Sequence, residues 1–357
     1  MLQLLTPQPA RHPSPTAKVT SLSHLIFERP DLDLSEQFLT DFGLTLCERT
    51  HETALFRAAG TAPYCYRIHA APRARFIGMG VTVETRSDLE RLAKVAGAKA
   101  IVSSHHPGHG ESLTLTDPSG FTVEVVHGQA PIAPLKHRAP LSFNWAGEYP
   151  RINEPQRPRL EPPEVVKLGH VVLEVADYQA TCAWYTQHLG LIPSDVQLLP
   201  DGTPAVTFFR LDLGTAPADH HTLALAQGFM PRYSHSAYEV VDADAVGTGQ
   251  RLLRERGWKH AWGIGRHILG SQIFDYWQDP CGDKHEHYCD GDMFTADRPI
   301  GVHSVSRGAM AQWGQPMPAS FTKPALTPRA LWSMLHNLRR SPDLTVDKLV
   351  TLAKLFG

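Results

Sequence analysis

Paired cysteines, a surplus of charge and long apolar runs are all missing from this 357-residue chain. Its five cysteines (Cys47, Cys65, Cys182, Cys281 and Cys289) form no C-x-x-C pair. They read as reduced thiols of a cytoplasmic protein. Lys and Arg number 34 against 36 Asp and Glu, a net charge of -2. That balance gives no electrostatic case for a nucleic acid or an acidic membrane surface. No stretch approaches the ~20 apolar residues of a membrane span. The first 18 residues lack the uninterrupted apolar core of a signal peptide, with Pro7 and Pro9 breaking them early. A chain of this length holds about two domains.

What is present is an internal repeat. Ser23-His24-Leu25-Ile26-Phe27-Glu28 matches Gly169-His170-Val171-Val172-Leu173-Glu174. Each is followed by a helical stretch ending in Phe42-Gly43-Leu44 or Leu189-Gly190-Leu191, with glycine where a helix stops. The halves end alike, in Asp117-Pro118-Ser119-Gly120 and Asp279-Pro280-Cys281-Gly282, and a glutamate (Glu124 or Glu286) lies seven residues after each aspartate. D-P-x-G makes a tight turn, and the alternating run after it is a strand that carries the glutamate on one face. Helices expected at Asp177 to His188 and Asp244 to Arg256 alternate with Val- and Thr-rich runs.

The second half holds His170, His235 and Glu286 in strand-like settings. One histidine among 20 would mean little. Two imidazoles and one carboxylate with coordination positions left open, however, form the facial triad of non-haem Fe(II) oxygenases. His285 and His287 flank Glu286 and by strand alternation point to the opposite face. The first half keeps His24 and Glu124, but alignment of the repeats puts Gly78 opposite His235, so a metal-free pocket is expected there.

These motifs together resemble the type I extradiol ring-cleaving dioxygenases of the vicinal oxygen chelate superfamily, over roughly residues 20 to 295. The resemblance implies an α+β fold. Four βαβββ modules, at 19–70, 75–128, 166–230 and 231–292, pair into two domains that enclose a funnel. The organisation expected is an N-terminal extension (1–18), a non-catalytic domain (19–128), a Pro-rich linker (129–163), a catalytic metal-binding domain (164–295) and a C-terminal extension (296–357). Residues 296–326 look irregular. Two amphipathic helices follow, one opened by Thr327-Pro328 and one at Thr345 to Phe356. Ala330, Leu331, Met334, Leu335 and Leu338 form an apolar stripe on the first. It packs on its own domain or on another subunit of a homo-oligomer.

By the same resemblance the metal is Fe(II), held by His170, His235 and Glu286, although Mn(II) accepts the same ligands. His221 precedes the Thr222-Leu223-Ala224-Leu225 strand and lies fourteen residues before His235. His267 and Tyr276 are nine residues apart, and Tyr276 is ten before Glu286. All three spacings match the family. A catechol must lose a proton to bind through both oxygens, and histidine titrates in the right range. His221 is the expected acid–base group, with His267 and Tyr276 orienting the substrate hydroxyl. Substrates are an aromatic diol and O2, and Leu269 and Val172, apolar where relatives are polar, suggest a hydrophobic one. The rivals are a glyoxalase-like divalent-metal isomerase or transferase, and a non-catalytic aromatic-binding protein.

Overall fold

The computed structural model describes residues 10–322 and 327–356; residues 1–9 of the N-terminal extension and 323–326 of the C-terminal extension lie outside them. The first module runs β1 (Val19–Arg29), α1 (Leu32–Asp41), β2 (Thr45–Arg49), β3 (Thr53–Arg57) and β4 (Tyr66–Ala70). The second runs β5 (Arg75–Val83), α2 (Arg86–Leu92), β6 (Val102–Ser103), β7 (Glu111–Thr116) and β8 (Thr122–His127). The third has β9 (Val165–Val175), α3 (Tyr178–Leu189), β10 (Ile192–Leu198), β11 (Pro204–Arg210), β12 (Ala218–Asp219) and β13 (Leu223–Gln227). The fourth has β14 (Arg232–Val240), α4 (Ala243–Glu255), β15 (Lys259–His267), β16 (Ile273–Gln278) and β17 (Lys284–Cys289). The fold is α+β, built on two large sheets.

The modules pair the same way in both halves. Antiparallel β1 and β5 join two modules into the sheet β2-β3-β4-β1-β5-β8-β7-β6, and antiparallel β9 and β14 do so in the second half. The repeat extends to packing, since β1 and β9 carry the same burial profile residue by residue. Helices α1 and α4 start where a side chain satisfies a free amide. Asp31 accepts from Leu34 at α1 and Asp242 from Ala245 at α4.

The main apolar core crosses the two halves. Phe38 of α1 and Phe42, which caps it, pack edge-on against Trp258 and Tyr238 of the second half. His287 stacks on Phe42 and donates from Nε2 to its carbonyl at 2.7 Å. Reciprocally, Tyr185 of α3 donates to Asp117 of the first half at 3.0 Å. A further polar tie is Arg29, buried at the end of β1, which meets Asp279 at 2.9 Å and Asp283 at 2.8 Å in the turn before β17.

The C-terminal extension differs from its expected irregularity. After the short β18 (Met293–Phe294), β19 (Gly301–Ser304) adds parallel to β10 and β20 (Ala311–Gly314) antiparallel to β15, one at each edge of the second sheet. Four-residue edge strands pair through main chain and need no side-chain alternation, so periodicity does not reveal them. The helices α5 (Pro328–Arg340) and α6 (Val346–Phe356) follow, with Thr327 accepting from Ala330 as N-cap. Asn337 donates to the Phe229 carbonyl at 2.9 Å and Ser341 to that of Ala176 at 2.9 Å, which anchors α5 on its own domain. The expected apolar stripe is split. Ala330 is buried and Met334 turns to the cavity described below, but Leu331 and Leu335 are exposed beside Trp332. No helix of the described residues is long and apolar enough to cross a membrane.

Arg29→Met should be costly, because it leaves two carboxylates without their cation. Removing one partner of a buried ion pair costs about 3–5 kcal/mol. Urea unfolding of the variant against the wild type measures it, and the loss should greatly exceed that for Arg75→Met, whose pair with Glu28 is largely exposed.

Candidate metal centre

The register of the second sheet assembles the site. His170 on β9 pairs with Ala237 on β14, Ala237 with Glu286 on β17, and Glu286 with Tyr276 on β16. Residues directly opposite one another on neighbouring strands project to the same face. His235 lies two residues before Ala237 and shares that face as well. One row across four strands, plus one step along the middle strand, thus brings together side chains up to 116 residues apart (286 − 170).

The ligand atoms of His170, His235 and Glu286 lie within 4.8 Å of one another. Nε2 of His170 is 3.4 Å and Nε2 of His235 3.6 Å from Oε2 of Glu286. Among the described residues neither Glu286 oxygen has a hydrogen-bond partner, although the side chain is fully buried. A buried carboxylate left that way is costly unless a cation balances it. Two nitrogens and one oxygen around that gap suit a divalent first-row metal with open positions. Burial alone would raise the Glu286 carboxyl, but the imidazoles of His170 and His267 outweigh it and hold it well below the usual carboxylate range. Burial pushes His235 well below the ordinary histidine value, which keeps a nitrogen lone pair free for coordination.

The other sequence-predicted residues gather on the same cavity. It measures about 400 Å³ and is lined by His170, His235, His221, His267 and Tyr276. The His221 ring lies tilted against the His170 ring with centroids 3.9 Å apart, and burial, followed by the surrounding histidines, drives its pKa well down. His267 Nδ1 lies 2.8 Å from the Met310 carbonyl, so Nδ1 carries the hydrogen and donates. In the neutral ring Nε2 then accepts from the Tyr276 hydroxyl at 2.9 Å. Burial and then Glu286 push the Tyr276 pKa well above its ordinary value, so it stays a donor. His285 and His287 face away, to Ser236 and Phe42 respectively.

Three features escape the sequence reading. The walls over the site come partly from the C-terminal extension, through Met310, Met317, Phe321, Met334 and Leu352. His220, next to His221, is buried and bonded to Asp195; the H-H pair is visible in sequence, but its partner 25 residues earlier is not. The third is Arg67. In the first half the row recurs as His24, Gly80 and Glu124. There the Arg67 guanidinium reaches Glu124 at 2.5 Å and His24 stands 3.8 Å away. Arg67 is the protein's own cation in the position a metal would balance. Burial opposes the Glu124 charge, yet His24 and Arg67 outweigh it and hold its carboxyl below the usual range.

Metal analysis of the purified chain should find about one divalent ion, the capacity of a single two-histidine, one-carboxylate set. Glu286→Ala should lose it, and Glu124→Ala should keep it. Two equivalents in the wild type would contradict the distinction between the halves.

The profile of the Glyoxalase/Bleomycin resistance protein/Dioxygenase superfamily matches residues 167–286. The chain is 29% identical over 313 residues to Metapyrocatechase 2 of Cupriavidus necator, covering 87% of this chain and 93% of that one. It is 32% identical over 217 residues to an iron-dependent extradiol dioxygenase of Rhodococcus jostii, covering 57% and 63%. In fold it is similar to the homoprotocatechuate 2,3-dioxygenase of Brevibacterium fuscum (TM-score 0.73, 19% identity, 89% and 95% covered). It is also similar to a Mn(II)-bound glyoxalase of Novosphingobium aromaticivorans (TM-score 0.72, 24% identity, 87% and 97% covered). Residues 167–286 thus match the glyoxalase/bleomycin resistance/dioxygenase superfamily, and over most of its length the chain is similar to extradiol ring-cleaving dioxygenases.

Proposed function

We propose that this chain is an Fe(II)-dependent dioxygenase that opens a catechol-type ring beside its two hydroxyls. Its metal ligands would be His170, His235 and Glu286, with His221, His267 and Tyr276 as catalytic residues. The observation that carries the reading is that these three further side chains line the same cavity as the ligand triad. A glyoxalase-like isomerase or an aromatic-binding protein would not require them. When bound, the metal would supply Lewis acidity toward the diol and a path by which electrons of the diol reach O2.

The side chains divide the remaining work. His221 takes a proton from a diol hydroxyl and returns it later, because its burial favours the neutral ring that can accept. Tyr276 donates a hydrogen bond, and His267, its orientation held by the Met310 carbonyl, sets the direction of that hydroxyl. Val172, Val206, Phe208, Leu269, Met317 and Phe321 make the rest of the wall largely apolar and exclude water. Arg232 also lines it, but its guanidinium is tied to Glu174 and to the Thr322 carbonyl. A hydrophobic substituent on the diol therefore suits the cavity better than a carboxylate. The reduced cysteines fit a cytoplasmic enzyme, and the exposed Leu331, Trp332 and Leu335 fit a homo-oligomer.

Anaerobically purified protein loaded with Fe(II) should turn catechol and O2 into a yellow ring-cleaved product. Loading with Mn(II) in parallel identifies the working metal. His221→Asn should keep its metal and its catechol affinity, since no ligand is touched. Turnover should fall by roughly 10²–10⁴, the usual contribution of a positioned acid–base group. The deficit should shrink with 4-nitrocatechol, which ionises without help. Near-normal catechol turnover in the metal-replete variant would remove His221 from this role.

A further inference from the structure

Behind His221, on the side away from the cavity, lies a chain of buried polar groups. Nδ1 of His221 is 2.9 Å from Nδ1 of His220, and Nε2 of His220 is 2.6 Å from Oδ2 of Asp195. The other Asp195 oxygen is 2.8 Å from Nε2 of His303 on β19. Asp195, His220 and His221 are 2%, 1% and 4% exposed, so bulk solvent does not reach these groups. We propose that Asp195 and His220 are positioning residues that fix the tautomer and ring orientation of His221. This rests on the reading of the cavity as a ring-cleavage site.

The argument is hydrogen-bond inventory. A carboxylate only accepts, so Nε2 of His220 carries the hydrogen. In the neutral ring its Nδ1 is then an acceptor, and the hydrogen between the two rings belongs to Nδ1 of His221. That leaves Nε2 of His221 with a free lone pair, the state needed to take a proton from a substrate hydroxyl. With Asp195 neutralised, His220 is free to adopt the other tautomer. His221 would then accept at Nδ1 and carry hydrogen on Nε2, where it has no capacity to act as a base. Burial opposes the Asp195 charge, but the hydrogen bonds from His220 and His303 outweigh it and hold the carboxyl below its ordinary range.

The local backbone is built around this contact. Gly301 pairs directly with Asp195, and a Cβ there would lie 1.8 Å from Oδ1 of Asp195 and 2.7 Å from Nε2 of His303. Any larger residue would break the brace. The rings of Phe208 and Phe294, at 5.5 and 5.4 Å, confine His220. Because Gly301 and His303 belong to the C-terminal extension, that segment reaches the reacting group through Asp195.

Asp195→Asn and His220→Phe, loaded with Fe(II), test the assignment. Metal content and KM for catechol should stay within about threefold. The kcat should fall about 10–100-fold, the usual effect of removing a group that orients a site residue. The loss should nearly vanish with 4-nitrocatechol, whose proton leaves unaided. Undiminished kcat in both variants, or equal losses with both diols, overturns the proposal. A readout independent of turnover is 15N NMR of the Zn(II)-loaded, 15N-histidine-labelled chain. The wild type should show hydrogen on Nδ1 of His221, and Asp195→Asn should show a tautomer mixture. Hydrogen on Nε2 in the wild type overturns the proposal whether or not the folded variants are obtained. An Fe(II)-loaded wild type that cleaves no catechol, with His221 still in the Nδ1-H form, would instead count against the ring-cleavage reading alone.

Discussion

A carboxylate buried in the middle of a sheet has to be balanced by a cation, and that constraint organises both halves of this molecule. Glu124 and Glu286 occupy equivalent places, after the same turn, on equivalent strands, paired into equivalent rows. In the first half the answer is internal, since Arg67 reaches across from β4 and closes an ion pair. In the second half Ala224 stands in the register position of Arg67, and among the described residues no Arg or Lys pairs with Glu286. The carboxylate stays orphaned with two imidazoles facing it. One duplicated scaffold thus yields a closed, structural pocket and an open one suited to an ion.

The open pocket is precise because its donors sit on strands. Loops would let three side chains from distant segments wander, whereas a row across β9, β14, β17 and β16 holds each within a ladder of main-chain hydrogen bonds. Small Ala237 at the centre of the row leaves room between His170 and Glu286, where a larger residue would fill the gap. The first half follows the same rule more tightly, because a Cβ at Gly80 would lie 2.2 Å from the His24 ring.

The C-terminal extension completes what the modules leave open. Its strands prolong the second sheet at both edges, its Met310 carbonyl fixes His267, and its apolar side chains roof the cavity. The apolar face of α5 is divided between that roof and the exposed surface. Arg29 makes a comparable link between the halves, tying β1 to the turn that launches the Glu286 strand. One guanidinium thus links the packing of the two halves to the turn that leads into Glu286.

Much of this was legible in the chain itself. The repeat, the D-P-x-G turns and the seven-residue step to each glutamate determined the module order and which strand face carries Glu286. They did so because turn chemistry and strand alternation are local rules. The spacings from His221, His267 and Tyr276 to the triad were equally readable. What the tertiary structure alone decided involves partners far apart in sequence and joined by no periodicity. Arg67 finds Glu124 57 residues on, Asp195 finds His220 25 residues on and His303 108 residues on, and Met310 reaches His267 from an edge strand without a pattern. Such contacts follow from sheet order and register, which depend on how distant strands pack against one another, a global property that no local run of residues encodes.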